Sequence, residues 1–345
     1  MLVGNAPWTL SRNAQLGVNF IGMNFYDGQT FMVERERTIE MWSNPRIPHE
    51  LSCDRRRLEP LGGKPIMVNV VMNIEHWPFD RPMPRGILPP PHGAVVSPPD
   101  LPNFSWVEYG MRCGMPRMLD MLGQRGIKAS AFINAQVVDV YPTAAKAVVA
   151  AGWELVGHGW VQQSLKQVDD EEAVIRQSLA RLEQLSGTKV RGWFGPGGAE
   201  TMRTPEIFKT CGIEFFHDWL VDDLPCWMRT EHGPLLALPY TWELNDVPIW
   251  ALQGQSSDEL LKRLRATLAV LEREAQTQPR VLTFGLHPHI IGVPHRAYYM
   301  EQALDLLAAR GDTVFVTSSE IADWFIKADA TNGRELEALG KPPAQ

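Results

Sequence analysis

From Val107 onward the chain alternates helix-like and strand-like segments, and this alternation restricts it to an α/β fold with a mainly parallel sheet. Parallel strands cannot be joined by tight turns, so each needs a crossover element between it and the next. The first strand is Lys64-Pro65-Ile66-Met67-Val68-Asn69-Val70-Val71-Met72, an apolar, β-branched run of the kind buried on both faces of a parallel sheet. Further strands are expected at Ala129–Asn134, Trp153–His158, Val190–Phe194, Ile213–Phe216, Val281–Leu286 and Thr313–Thr317. Helices are expected at Met115–Gln124, Pro142–Ala151, Asp169–Leu185, Thr204–Cys211, Ser256–Ala275, Tyr298–Ala309 and Ser319–Phe325, with Gly126, Gly152 and Gly187 as stops. About seven strand–helix pairs predict a distorted (β/α) barrel. An open doubly wound sheet is the alternative, but no Gly-rich phosphate loop follows the first strand.

The barrel is expected over residues 61–327, with residues 1–60 as an N-terminal extension packed on it and 328–345 as a C-terminal tail. Within it, Pro78 to Pro102 is dense in proline and lacks hydrophobic periodicity. A loop of that length inside a compact domain is usually functional, so it is expected to form a lid or wall over a site.

A chain of 345 residues, 44% hydrophobic and 21% charged, can bury a large core. Its net charge of -7 and lack of a basic cluster argue against a nucleic-acid partner. No segment is long and apolar enough to span a bilayer, and the start does not resemble a signal peptide. Four widely spaced cysteines suit reduced thiols. The expectation is a cytoplasmic homo-oligomer whose partner is a small-molecule substrate, with neither membrane nor nucleic acid.

In parallel α/β folds the active site collects at the carboxyl ends of the strands. Polar residues recur there: Asn73, Glu75 and His76; His158, Trp160 and Gln162; the Gly195–Glu200 run; His217-Asp218; and His287-Pro288-His289. Singly, each has an ordinary structural reading, and their recurrence at one rim is what points to chemistry. Arg191 could orient a carbonyl or carboxyl group, or form a structural ion pair. Gly197, in the glycine run, could offer an N–H to an oxyanion or simply make a turn. Trp160 and Trp193 could wall a pocket or fill the core. Asp223 could orient a histidine or contact substrate, and an acidic residue before Leu-Pro also suits a turn.

The order of these motifs resembles the polysaccharide deacetylase superfamily, and more closely its cytosolic branch of cyclic imide hydrolases and allantoinase-like proteins. The resemblance covers roughly Gly62 to Lys327. It rests on Asn73-Ile74-Glu75-His76, Trp106–Gly110, Gly157-His158-Gly159, Arg191-Gly192-Trp193, Asp222-Asp223-Leu224-Pro225, Leu238-Pro239-Tyr240, Asn245-Asp246 and Leu286-His287-Pro288. Polysaccharide-active members of the superfamily carry two carboxylates after the first strand, one a base and one a metal ligand, and two histidines four residues apart. Here Asn73 stands at the base position, Glu75 at the ligand position, and Gln162 in place of the second histidine. An amide cannot take a proton from water, and its oxygen is a poorer zinc ligand than imidazole.

The resemblance therefore implies a changed substrate: ring opening of a small cyclic amide, imide or ureide at its C–N bond. Glu75, His158, His287 and Asp223 are the expected catalytic residues, with Glu75 and His158 activating water and His287 protonating the departing nitrogen. Asn73, Trp160, Arg191, Trp193, Gly197 and His289 are the expected substrate contacts. One divalent ion, zinc by preference, would sit on Glu75, His158 and Gln162, and metal-free catalysis is the other possibility. The alternatives are N-deacetylation of an acetylated sugar, and a noncatalytic scaffold on a degenerate barrel.

Overall fold

The computed structural model describes residues 43–86 and 97–338. Among these, nine strands form one curled sheet: β1 (Ile66–Ile74), β2 (Ser130–Ile133), β3 (Glu154–Gly157), β4 (Gly192–Trp193), β5 (Phe215–Phe216), β6 (Cys226–Met228), β7 (Leu235–Ala237), β8 (Arg280–Leu286) and β9 (Thr313–Phe315). Their order is β6-β7-β5-β4-β3-β2-β1-β8, with β9 also on β1. All pairings are parallel except β6 with β7. The β6–β7 hairpin is the departure from the seven expected strands. The gap between β7 and β8 is bridged by residues 239–245, through one parallel bridge from Asn245 to Gly285 and a bond from the Thr283 N–H to Thr241 Oγ1 of 3.0 Å. The barrel is thereby distorted and nearly closed.

The helices are α1 (Leu101–Tyr109), α2 (Met115–Gly123), α3 (Val137–Val140), α4 (Pro142–Ala150), α5 (Glu171–Ser186), α6 (Thr204–Thr210), α7 (Glu259–Glu274), α8 (Pro294–Ala308), α9 (Ser318–Ala328) and α10 (Ala330–Ala338). Local chemistry sets their ends. Asp170 caps α5 by accepting from the Ala173 N–H at 2.9 Å, and Gly187 stops it at φ 70°. The helix expected from Met115 begins earlier, because Asp100 caps α1 and a π-turn at Gly110–Gly114 joins α1 to α2. Residues 330–338, expected as tail, are helical as α10.

Strand alternation divides the core in two. Ile66, Val68, Val70, Met72 and Ile74 of β1 face the helices, and Met67 and Val71 face the barrel interior with Phe132, Val156, Phe215 and Tyr240. The amino end of the interior is plugged by α9. Its first N–H groups meet Ser130 Oγ (from Ser318, 2.9 Å) and the Glu154 carboxyl group (from Ser319, 3.1 Å), so acceptors stand at the helix N-terminus. His217 belongs to this plug, 3.0 Å from Ser318 Oγ, and burial pushes its imidazole down to about 3. Of the expected N-terminal extension, residues 1–42 lie outside the described residues. Residues 43–60 pack on the barrel: Arg46 pairs with Glu206 at 2.6 Å, and Gln278 Oε1 accepts from the Leu58 N–H at 2.8 Å.

Candidate active site

Three of the expected residues meet at the carboxyl rim. Glu75 leaves the end of β1, His158 the end of β3 and His287 the end of β8, and all three side chains are almost fully buried. Glu75 Oε1 lies 3.6 Å from His158 Nε2 and 3.4 Å from His287 Nε2. Its other oxygen accepts from Trp77 Nε1 at 2.8 Å.

The two histidines are held by different partners. His158 Nδ1 lies 2.6 Å from the carbonyl of Phe194, which can only accept, so Nδ1 carries a proton and Nε2 faces the site. That Nε2 has no hydrogen-bond partner. His287 Nδ1 lies 2.6 Å from Asp246 Oδ1, and its main-chain N–H donates to Asp246 Oδ2 at 2.6 Å. Burial opposes a charge on His287, but Asp246 on one side and Glu75 on the other outweigh it and raise the imidazole to about 9. Burial likewise works to raise Glu75, and the pull of His287 and His158 holds the carboxyl well below its ordinary value. At neutral pH the centre therefore contains a carboxylate and an imidazolium, with His158 Nε2 facing them.

An aromatic wall surrounds it. His289 is buried beside His287, with ring centroids 5.7 Å apart, and meets Trp77 at 5.7 Å and Trp106 at 5.1 Å edge-on. Burial first, then the charge on His287, pushes His289 down to about 3, so it stays neutral. His158 stacks on Phe194 at 5.4 Å, and Phe194 on Tyr240 at 4.8 Å. Asn73 is 1% exposed and points to Tyr240 and the Leu286 carbonyl.

The remaining expected residues stand outside this centre. Asp223 does not orient a histidine: its carbonyl accepts from the Val281 N–H at the start of β8, and Asp246 orients His287 instead. Arg191 precedes β4 at the amino rim and is a structural ion pair, 2.8 Å from Glu214 and 2.5 Å from Asp323. Trp193 faces outward into the helix layer against Phe208, because it alternates with the inward Phe194. Trp160 also packs on that outer core. In the glycine run, the N–H of Gly195 donates to Asp218 and that of Gly198 to the Gly195 carbonyl, so neither is free for an oxyanion. Gly197 is exposed on the rim between two cavities.

One cavity, about 590 Å³, lies between Pro78–Arg85 of the proline-rich segment, Val161–Gln167 and the glycine run. The other, about 710 Å³, lies between the glycine run, Asp218–Asp223 and Pro239–Glu243. The described part of the proline-rich segment thus walls the rim, and its residues 87–96 lie outside the described residues. Asp246, Tyr240 and Asn134 received no role from sequence. Asn134 holds the loops together by accepting from the His76 N–H at 2.8 Å and donating to the His158 carbonyl.

Fold and centre together define a distorted α/β barrel with its polar chemistry at the carboxyl rim. Residues 105–216 match the polysaccharide deacetylase family. A Schizosaccharomyces pombe protein described as a polysaccharide deacetylase is 26% identical over 243 residues, 65% of this chain and 76% of its own. A Pseudomonas aeruginosa crystal structure assigned as a polysaccharide deacetylase superposes with a TM-score of 0.68 at 25% identity, over 77% of this chain and 92% of that one. An allantoinase crystal structure shares the fold, with a TM-score of 0.67 at 24% identity over 83% and 95% of the two chains. Over residues 105–216 the chain is thus similar to the polysaccharide deacetylase family, and its fold is that of these solved structures.

Enzymes of this family are generally metal-dependent. The donor set here does not fit the expected ion. Gln162 turns its amide oxygen to Asn134 Nδ2 at 3.3 Å, and His287 Nε2 carries a proton toward Glu75. Only Glu75 and His158 remain as ligands. Among the described residues no group of three or more His, Cys, Asp or Glu side chains is arranged to hold a metal ion. Nor is any helix among them long and apolar enough to cross a membrane.

Proposed function

We propose that the protein hydrolyses a carbon–nitrogen bond other than a peptide bond, opening a small cyclic amide, imide or ureide. The observation that carries this reading is Glu75 shared between His158 and His287, with His287 held charged by Asp246. A water held beside Glu75 and His158 Nε2 gives up a proton to Glu75 as its oxygen attacks the substrate carbonyl. As the C–N bond of the tetrahedral adduct breaks, His287 Nε2 gives its proton to the nitrogen, with Asp246 stabilising the imidazolium beforehand. The proton taken from water then returns to His287 through Glu75, and the centre is reset. Its enclosure by Trp77, Trp106 and His289 supports a compact substrate.

N-deacetylation of an acetylated sugar is the second reading. It is favoured by the two rim cavities, which adjoin at Gly197 and together could accept an extended chain. Asn73 and Gln162 are what a noncatalytic scaffold would also show, but such a scaffold has no use for a buried imidazolium beside a carboxylate. The test is a panel of imides, hydantoins, allantoin and N-acetylglucosamine oligomers. Turnover of the rings is expected, with His287→Ala reducing kcat on the best ring by about a hundredfold or more and KM far less. Turnover of acetylated sugars alone would overturn the ring reading.

A further inference from the structure

Two buried hydrogen-bonding positions beside Glu75 are left open by the protein, and they have complementary character. Asn73 uses both amide hydrogens, one to the Leu286 carbonyl at 3.2 Å and one to Tyr240 Oη at 3.3 Å. The carbonyl fixes which end of the amide is nitrogen, so the atom left over is the oxygen, and Asn73 Oδ1 is buried with no partner. Asn245 is oriented in the same way, because its Oδ1 accepts from the Val247 N–H at 2.8 Å, and its Nδ2 therefore donates to Tyr240 Oη at 2.9 Å. A phenol oxygen has two acceptor positions and one hydrogen. Both acceptor positions of Tyr240 are filled by amides, and among the described residues no group accepts its hydrogen.

We infer that Asn73 Oδ1 and the Tyr240 hydroxyl form a reading pair for a ring amide that still carries its hydrogen: Asn73 accepts from the ring N–H and Tyr240 donates to the adjoining carbonyl oxygen. The two positions are joined by the Asn73 amide group and one hydrogen bond of 3.3 Å from its nitrogen to the phenol. A cis amide, forced by a small ring, presents N–H and C=O along one edge and can satisfy both. The trans amide of an open chain presents them on opposite edges. The phenol hydrogen is also placed to stabilise the oxyanion that forms when water adds to that carbonyl. Loss of the substrate N–H leaves Asn73 Oδ1 buried and unpaired, which is how a site of this kind rejects a near-isosteric ligand.

The inference rests on the C–N hydrolysis reading for its reaction and not for its binding. Wild-type protein is tested on succinimide and N-methylsuccinimide, which differ in the ring N–H. Hydrolysis of succinimide is expected to exceed that of the N-methyl ring by about a hundredfold or more in kcat/KM. Asn73→Ala should narrow the ratio to within about tenfold, and Tyr240→Phe should lower kcat on succinimide by about a hundredfold. Binding of both rings is read by calorimetry on His287→Ala protein, which leaves Asn73 and Tyr240 in place. Preference for succinimide in binding with turnover of neither ring would sustain the inference and overturn the hydrolysis reading. Equal turnover of both rings would overturn the inference and sustain the hydrolysis reading. Equal binding without turnover, or no binding, would overturn both. The comparison on wild-type protein needs no variant, so it stands even where Asn73→Ala does not fold.

Discussion

His287 owes its acid character to a neighbour 41 positions earlier in the chain. Asp246 accepts from both the ring and the main-chain N–H of His287, fixing its orientation and favouring its charged form against burial. Glu75 supplies the second favourable contact, so the two groups titrate as a pair. The rate should therefore hold across neutral pH and fall as the pair loses its proton near 9. Asp246→Asn removes one negative charge while keeping the shape. Its expected effect is to move the alkaline limb of kcat/KM downward, toward the ordinary histidine value of about 6.5. A pH–rate profile checks this, and an alkaline limb that stays in place would show that another group sets it. Asp223, the acidic residue that sequence offered for this role, meets the start of β8 through its carbonyl, and among the described residues no hydrogen bond or ion pair joins it to a histidine.

At the scale of elements, the loop 287–292 that carries His287 is seated on the helix that runs from Leu101 to Gly123. The π-turn at Gly110–Gly114 brings two glycines against that loop, and neither position has room for a side chain. A Cβ at Gly114 would lie 2.0 Å from the Pro288 carbonyl oxygen, and one at Gly110 would lie 2.5 Å from His289 N. Backbone atoms cannot be swung aside as a flexible side chain can, so the loop or the helix must shift. Gly114→Ala is expected to destabilise by about 1–3 kcal/mol and to lower turnover, because His287 moves with the loop. Gly123 in the same helix meets nothing within 4 Å, so Gly123→Ala should be neutral or stabilising by up to about 1 kcal/mol. Urea melts of both variants separate the cases. Equal stability of the two would remove the argument for a glycine seat.

For the whole molecule, the raised His287 couples folding to pH. In the unfolded chain this histidine loses its proton near 6.5, and in the folded chain near 9. Between those values the folded state holds the extra proton, so its contribution to stability is complete below about 6.5 and is lost as pH rises through 9. From pH 7 to 9, wild-type stability should fall more steeply than that of His287→Gln, by up to about 1.4 kcal/mol per pH unit. Denaturant midpoints at several pH values measure the difference. Parallel curves for the two proteins would mean that His287 is not held charged by its surroundings.

Much of this architecture was legible in local patterning. The β-branched run from Ile66, the amphipathic segment capped by Asp170 and the glycine stop at Gly187 each specify their element without distant help. So does the placement of Glu75, His158 and His287 immediately after strands, since parallel strands bring their carboxyl ends to one rim. The alternation of side chains also contained the answer for Trp193, which must face away from the interior if Phe194 faces into it. What sequence could not supply was which acidic residue meets which histidine. Asp223 and Asp246 both lie in motifs that resemble the family, and only the crossing of residues 239–246 over β8 puts Asp246 against His287. The protonation states are likewise tertiary. Histidine is the same residue at 158, 287 and 289, yet a carbonyl fixes the Nδ1 proton of the first, two carboxylates hold the second as a cation, and burial beside that cation keeps the third neutral. Short-range propensity acts on the backbone of neighbouring residues, whereas burial and charge act through space, and this chain's chemistry is set by the second.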